Sequence, residues 1–231
     1  MALFVKLIAA TPEADRVVAA AAKLCYSSSG AAQIFDGLTS EKTVTFLKRL
    51  RSSGHLSPFE HASFTFAIEG ISRVATHQLV RHRLASYSQQ SQRYVGMSGV
   101  QCIVPPTVAA NPEALKIFNN AVDTAKSAYN KLVMDFNVPK EDARFILPHG
   151  AETRIVVTMN ARELHHFFSL RLCRRAQWEI QDLAREMLRE VRSAAPVIFD
   201  TAGPSCVTEG TCHEAHSCGN PYDGMEGLLA R

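Results

Sequence analysis

The stretch Arg81-His82-Arg83-Leu84-Ala85-Ser86-Tyr87-Ser88-Gln89-Gln90-Ser91-Gln92-Arg93 holds the densest anion-binding chemistry in the chain. Guanidinium groups offer planar forks of N–H donors that match phosphate oxygens, and the hydroxyls and amides between them supply neutral donors. Between Glu69 and Glu113 there is no Asp or Glu, while Arg73, Arg81, Arg83 and Arg93 lie inside that stretch with His77 and His82. A cationic block without local acids has an external anion as its obvious partner; the alternative is a solvated basic helix end. Arg171 and Gln78 tilt the balance toward a site, because each falls where helical spacing predicts an apolar residue. A buried arginine needs a distant carboxylate or a ligand, and Arg144 and Arg162 raise the same question. His55, Glu60 and His61 form a compact acid-base group or, equally, a hydrogen-bonded connector.

The absences narrow the chemistry. No Gly-x-Gly-x-x-Gly, Walker-type Gly-Lys-Ser/Thr or His-Glu-x-x-His pattern occurs, so phosphate would be held by side chains. The serines at 86, 88 and 91 lack a Gly-x-Ser-x-Gly elbow, which argues against a hydrolase triad. Six cysteines in a chain without a secretory leader read as free thiols or a metal site in a reducing, cytoplasmic compartment. Cys206, Cys212 and Cys218 are evenly spaced, and Cys173 would make a fourth thiolate for structural zinc; unmetallated thiols are the alternative. A net charge of +3 is too small to imply nucleic-acid binding by itself, and no apolar run approaches membrane-spanning length.

These residues need elements to position them. The 231 residues, 46% hydrophobic and 20% charged, suffice for a sizeable core. Leu3 to Ile8 reads as a strand, Thr11-Pro12-Glu13 as a helix start running to about Leu24, and Ser27 to Gly37 as a loop. Ser40 caps a second helix that stops at residues 52 to 54. His61 to Ile68 alternates as a strand with Ala62, Phe64, Phe66 and Ile68 on one face, ended by Gly70. Ile71 to Arg83 has helical spacing, Ser86 to Arg93 reads as an extended polar loop, and Gln101 to Pro105 as a short strand. A long helix over Glu113 to Asn137 and a short one over Lys140 to Leu147 precede the strand Thr153 to Met159. Asn160 caps a helix bearing Leu164, Phe167, Phe168 and Arg171, and Gln177 to Ala194 forms the last long helix. No linker divides the body, so residues 1–202 read as one domain and 203–231 as a Cys-containing tail.

Arg81-His82-Arg83 followed after seven residues by Ser91 is similar to the signature of the flavin-dependent thymidylate synthases. His55-Leu56-Ser57-Pro58-Phe59-Glu60-His61, Asn160-Ala161-Arg162, and Leu170-Arg171 with Ala176-Gln177-Trp178-Glu179-Ile180 resemble the same family in order and spacing. The resemblance implies a homotetramer of α+β subunits, each with a central, mainly antiparallel twisted sheet and long helices. It implies conversion of dUMP to dTMP, with methylenetetrahydrofolate as carbon donor and FAD, reduced by NADPH, as hydride source. The positions matching dUMP contacts are Gln78, Arg81, Gln89, Ser91, Gln92, Arg93, Arg144 and Arg171. Arg171 is the one that favours ionisation at N3 of the uracil. For FAD they are Ser57, Arg81, His82, Arg83, Gln89, Asn160, Arg162 and His166, with His55 and Glu60 in the polar lining. Gln89 stands where many members carry Glu. A nucleic-acid-binding module would call for more positive charge and more stacking aromatics than Tyr87 and Tyr94. A flavoprotein methylating uracil in RNA differs by its acceptor.

Overall fold

Four strands, β1 (Phe4–Ala10), β2 (Ser63–Ser72), β3 (Ala85–Gln89) and β4 (Glu152–Asn160), form one open antiparallel sheet in the order β1-β2-β4-β3. The helices are α1 (Ala14–Leu24), α2 (Ala31–Asp36), α3 (Ser40–Ser52), α4 (Arg73–Leu79), α5 (Pro106–Ala109), α6 (Pro112–Met134), α7 (Lys140–Ala143), α8 (Ala161–Arg171), α9 (Trp178–Ala194), α10 (Ser205–Thr208) and α11 (Gly224–Leu229). Single 3-10 turns occupy Ser57–His61 and Arg144–Ile146. The computed structural model describes residues 2–230. The α+β class expected from the family resemblance is the class observed.

Several local expectations are corrected. Gly70 does not end β2, which runs on to Ser72. Its φ of +68° suits glycine, and a Cβ there would meet the Ala2 carbonyl oxygen at 2.3 Å. Close backbone approach, not chain termination, explains the residue. The polar stretch from Ser86 contains β3, an edge strand of the sheet, and an edge position does not demand a hydrophobic period. Gln101 to Pro105 contributes only an isolated bridge from Cys102 to Ala151. The helix expected over 71 to 83 shrinks to α4 because β2 extends into it and β3 starts at Ala85. Thr11 caps nothing. It instead pairs with Ser63, whose N–H donates to Thr11 Oγ1 at 2.9 Å, and Glu13 opens α1 in the left-handed region. Thr39, not Ser40, caps α3. Finally, α2 lies inside the expected Ser/Gly loop.

The chain divides into two compact units. The first comprises the residues through Phe4, Ile68–Arg81 and Ser88–Val156; the second, Val5–Ala67, His82–Tyr87 and the chain from Val157 onward. The first unit packs Met97, Val100, Tyr129, Ala143 and Ala151 into its core. Asn111 caps α6 by accepting from Glu113 and Ala114, and Pro112 takes the first helical position, where its missing N–H costs nothing. Of that long helix only Tyr129 is buried, and its hydroxyl accepts from Met97 N–H at 3.2 Å.

The second unit has the larger aromatic core. Phe64 and Phe199 meet edge-on at 5.4 Å, and His165 stacks on Phe199 at 5.1 Å. Its Nε2 lies 3.1 Å from the Ile198 carbonyl oxygen, and since a carbonyl accepts, Nε2 carries the proton. Burial pulls its pKa down to about 4. α9 turns Ile180, Leu183, Ala184, Met187 and Val191 inward at helical spacing. The same helix holds α11: Arg185, buried, donates to the Leu228 carbonyl at 3.1 Å, and Arg189 donates to the Leu229 carbonyl at 2.8 Å.

Candidate active site

In the first unit, α4 and the strands beside it hold the amide and guanidinium groups. Gln89 Nε2 donates to the hydroxyls of Thr76, at 3.0 Å, and Thr153, at 3.3 Å. Thr76 in turn donates to the Arg73 carbonyl at 3.1 Å. These contacts fix the amide orientation, with Oε1 remaining as the acceptor. A glutamate in this place would find hydroxyls of which one is already committed as a donor. Gln92 is only 7% exposed, and its buried Nε2 has no hydrogen-bond partner among the described residues. Such a donor costs free energy unless a ligand completes it.

The arginines of this unit divide into two kinds. Arg93 finds an internal acid, Glu141, whose carboxylate accepts from Nη2 at 2.7 Å and Nε at 2.8 Å. The acid lies far downstream, so sequence-local counting could not show it. Arg81 and Arg144 have no carboxylate within ion-pair reach among the described residues; Arg144 Nε donates to the Glu141 carbonyl at 3.0 Å. Arg73 was not among the matched site positions, yet its buried Nη1 has no partner among the described residues. Burial first, and the neighbouring Arg144 charge second, pull its pKa below the usual arginine value. Two neighbouring guanidiniums with an unsatisfied buried donor make an anion-binding arrangement. Gln78 is half-buried on α4, and its carbonyl accepts from Arg81 N–H. Ser91 Oγ accepts from Arg93 N–H at 3.2 Å.

In the second unit, His82 is buried and links two charged residues of α8. Its Nδ1 lies 3.1 Å from Glu163 Oε1, and its Nε2 accepts from Arg171 Nε at 3.1 Å. Arg171 therefore has a histidine as one partner. Tyr87 O–H donates to the His82 carbonyl at 2.7 Å. Burial, followed by the Glu163 charge, raises the phenol pKa. Asn160 caps α8 by accepting from Glu163 N–H at 2.9 Å, as its place before the apolar run predicts. His166 is exposed, with its ring centroid 5.6 Å from that of His82. Arg83 is exposed and has no carboxylate partner among the described residues.

A cavity of about 390 Å³ in this unit is lined by Cys25, Tyr26, His55, Ser57, Pro58 and Arg162, among others. Glu60 forms an ion pair with Arg162. Among the described residues no hydrogen bond joins His55, Glu60 and His61. Cys173, Cys206, Cys212 and Cys218 all line one small cavity of about 40 Å³. Even so, among the described residues no group of three or more His, Cys, Asp or Glu is placed to hold a metal ion, and the zinc reading finds no support there. No described helix is long and apolar enough to cross a membrane. Glu163 and Arg73 are what sequence reasoning missed. The signal for Glu163 was its spacing from Phe167 and Arg171, four and eight residues along one helix face.

Comparison with known proteins supplies a second line. Residues 6–197 match the family model described as thymidylate synthase complementing protein. A flavin-dependent thymidylate synthase of Geobacter sulfurreducens is 54% identical over 218 residues, covering 93% of each chain. One from Clostridium tetani is 48% identical over 235 residues, covering 95% of this chain and 94% of its own. Among solved structures, the UMP/dUMP methylase PolB from Streptomyces cacaoi, bound with 5-Br dUMP, is similar with a TM-score of 0.75. It is 26% identical, and the likeness covers 86% of this chain and 94% of that one.

Proposed function

The chain belongs to the flavin-dependent thymidylate synthase family, and from that premise we propose that it reductively methylates dUMP to dTMP. Methylenetetrahydrofolate supplies the carbon, and FAD is the flavin, reduced by NADPH. The observation that carries the nucleotide assignment is the first unit's set of incompletely met donors among the described residues: buried Arg73 Nη1 and Gln92 Nε2 without partners, and Arg81 and Arg144 without carboxylates. A nucleotide phosphate and a pyrimidine edge are what such donors require.

Arg81, Arg144 and Arg73 hold the phosphate; Arg93, Ser91 and Gln92 complete the lining; Gln78 and Gln89 meet the nucleoside through their amides. Arg171 faces the N3/O2 edge of the uracil, where a guanidinium stabilises the negative charge that develops as C5 is activated. No protein nucleophile is needed. The bound flavin supplies redox chemistry that no side chain here can provide. The second unit fits such a group: a cavity lined by His55, Ser57 and Arg162, with Arg83, Asn160 and His166 as further polar contacts, while His82 spends both ring nitrogens on Glu163 and Arg171. The family resemblance gives Gln89 and Arg81 to both ligands, and Glu60 pairs with Arg162. Exposed Ile117, Met134, Phe136 and Phe145, each at least 71% accessible, support association into a homotetramer.

A visible absorption spectrum of the purified protein tests this reading. Flavin bands that bleach with NADPH without oxygen, and return only when dUMP and methylenetetrahydrofolate are added with dTMP formed, are expected. A protein that stays colourless after incubation with FAD overturns it. Methylation of a uracil-containing RNA in place of dUMP would transfer the chemistry to the RNA acceptor.

A further inference from the structure

The geometry points to Glu163 as a positioning residue for Arg171, acting through the ring of His82; the inference rests on the reading that Arg171 serves the pyrimidine. Glu163, Phe167 and Arg171 stand at i, i+4 and i+8 of α8 and share one face. The His82 ring lies edge-on against Phe167, with centroids 5.0 Å apart at 80°. Its two nitrogens reach opposite ways along the helix, Nδ1 to Glu163 and Nε2 to Arg171, each at 3.1 Å.

Donor chemistry gives this chain a direction. A guanidinium nitrogen only donates, so His82 Nε2 carries its lone pair toward Arg171. The ring proton is then on Nδ1, where it donates to the Glu163 carboxylate. Either the other tautomer or the imidazolium would set an N–H against the Arg171 N–H and drive the guanidinium away. The carboxylate therefore selects, of the two neutral tautomers, the one that can hold Arg171, while burial and the Arg171 charge disfavour the imidazolium.

Two local observations separate this role from ordinary capping. A glutamate three residues after an N-cap commonly turns back to the N-cap N–H. Here Glu163 gives its own N–H to Asn160, while its carboxylate goes to His82. The side chain is 6% exposed, and its place in the first turn sets it near the positive end of the helix, which offsets part of the burial cost. The groups facing His82 are Glu163, Arg171 and His166 from α8 and Tyr87 from β3. Burial holds the imidazole below its ordinary value; Glu163 opposes that shift, and Arg171 and His166 add to it.

The test compares Glu163→Gln and Glu163→Ala with the wild-type holoenzyme, reading dTMP formation against pH, dUMP binding by calorimetry, and the ¹⁵N signals of His82. The glutamine keeps an acceptor for Nδ1–H but removes the opposing charge. His82 then titrates at lower pH, and the acid limb of the rate profile moves down with it. The alanine loses the acceptor, and dTMP formation falls by about 10- to 100-fold with weaker dUMP binding. An acid limb and a His82 titration unmoved in Glu163→Gln overturn the inference, whether or not the alanine variant folds. Arg171→Ala distinguishes the two readings. If it forms dTMP at the wild-type rate, the pyrimidine assignment fails; if it is inactive while Glu163→Gln behaves as wild type, only the relay fails.

Discussion

One arginine in each unit makes a contrast, Arg185 in the second and Arg73 in the first. In the second, Arg185 is almost wholly buried and meets the Leu228 carbonyl, Asp182 and the Gln181 side chain. Arg171 is likewise tied to His82. In the first, Arg73 keeps a buried nitrogen without a partner among the described residues, next to another guanidinium that repels it. Burial alone does not distinguish structural from functional cations. Completion separates these two: the protein itself satisfies Arg185, whereas Arg73 keeps a donor that a ligand can complete.

Three measurements break or sharpen that contrast, the largest effect first. Arg171→Ala, in the second unit, is expected to lower dTMP formation by about 100- to 1000-fold while flavin content stays near wild type. Next comes the buried His165. Its pKa of about 4 lies below the ordinary 6.5, so between those values the unfolded chain binds more protons than the folded one. Stability is therefore full above pH 6.5 and declines as pH falls toward 4, by about 3 kcal/mol in total. Denaturant midpoints measured across that window check it, and His165→Phe should flatten the slope. The smallest effect separates the units by sign. Arg73→Met should weaken dUMP binding about tenfold, yet raise the melting temperature of the nucleotide-free protein by about 2–4 °C. A variant that loses both affinity and stability would place Arg73 among the completed arginines.

Much of this was legible from residue order. Alternation over His61 to Ile68 named Ala62, Phe64, Phe66 and Ile68, and all four are buried. The helical spacing of α8 and α9 named their inward faces, and the Asn160 cap is where its sequence placed it. What escaped depends on tertiary pairing. No periodicity brings Glu141 to Arg93 or His82 to Arg171, since those partners come from elements far apart in the chain. Edge strand β3 was hidden because only one side of it pairs and its side chains are polar. Gly70 misled because glycine can end a strand or admit another backbone, and the Ala2 carbonyl decides which.

The grip of α9 on α11 has a dynamic consequence. A six-residue helix has too few hydrogen bonds to persist by itself and would ordinarily fray on short timescales. Opening it, however, takes the Leu228 carbonyl from buried Arg185 and the Leu229 carbonyl from Arg189. The amides of α11 are thus expected to exchange with solvent deuterium together with those of α9, making the last helix part of the most slowly opening segment of its unit.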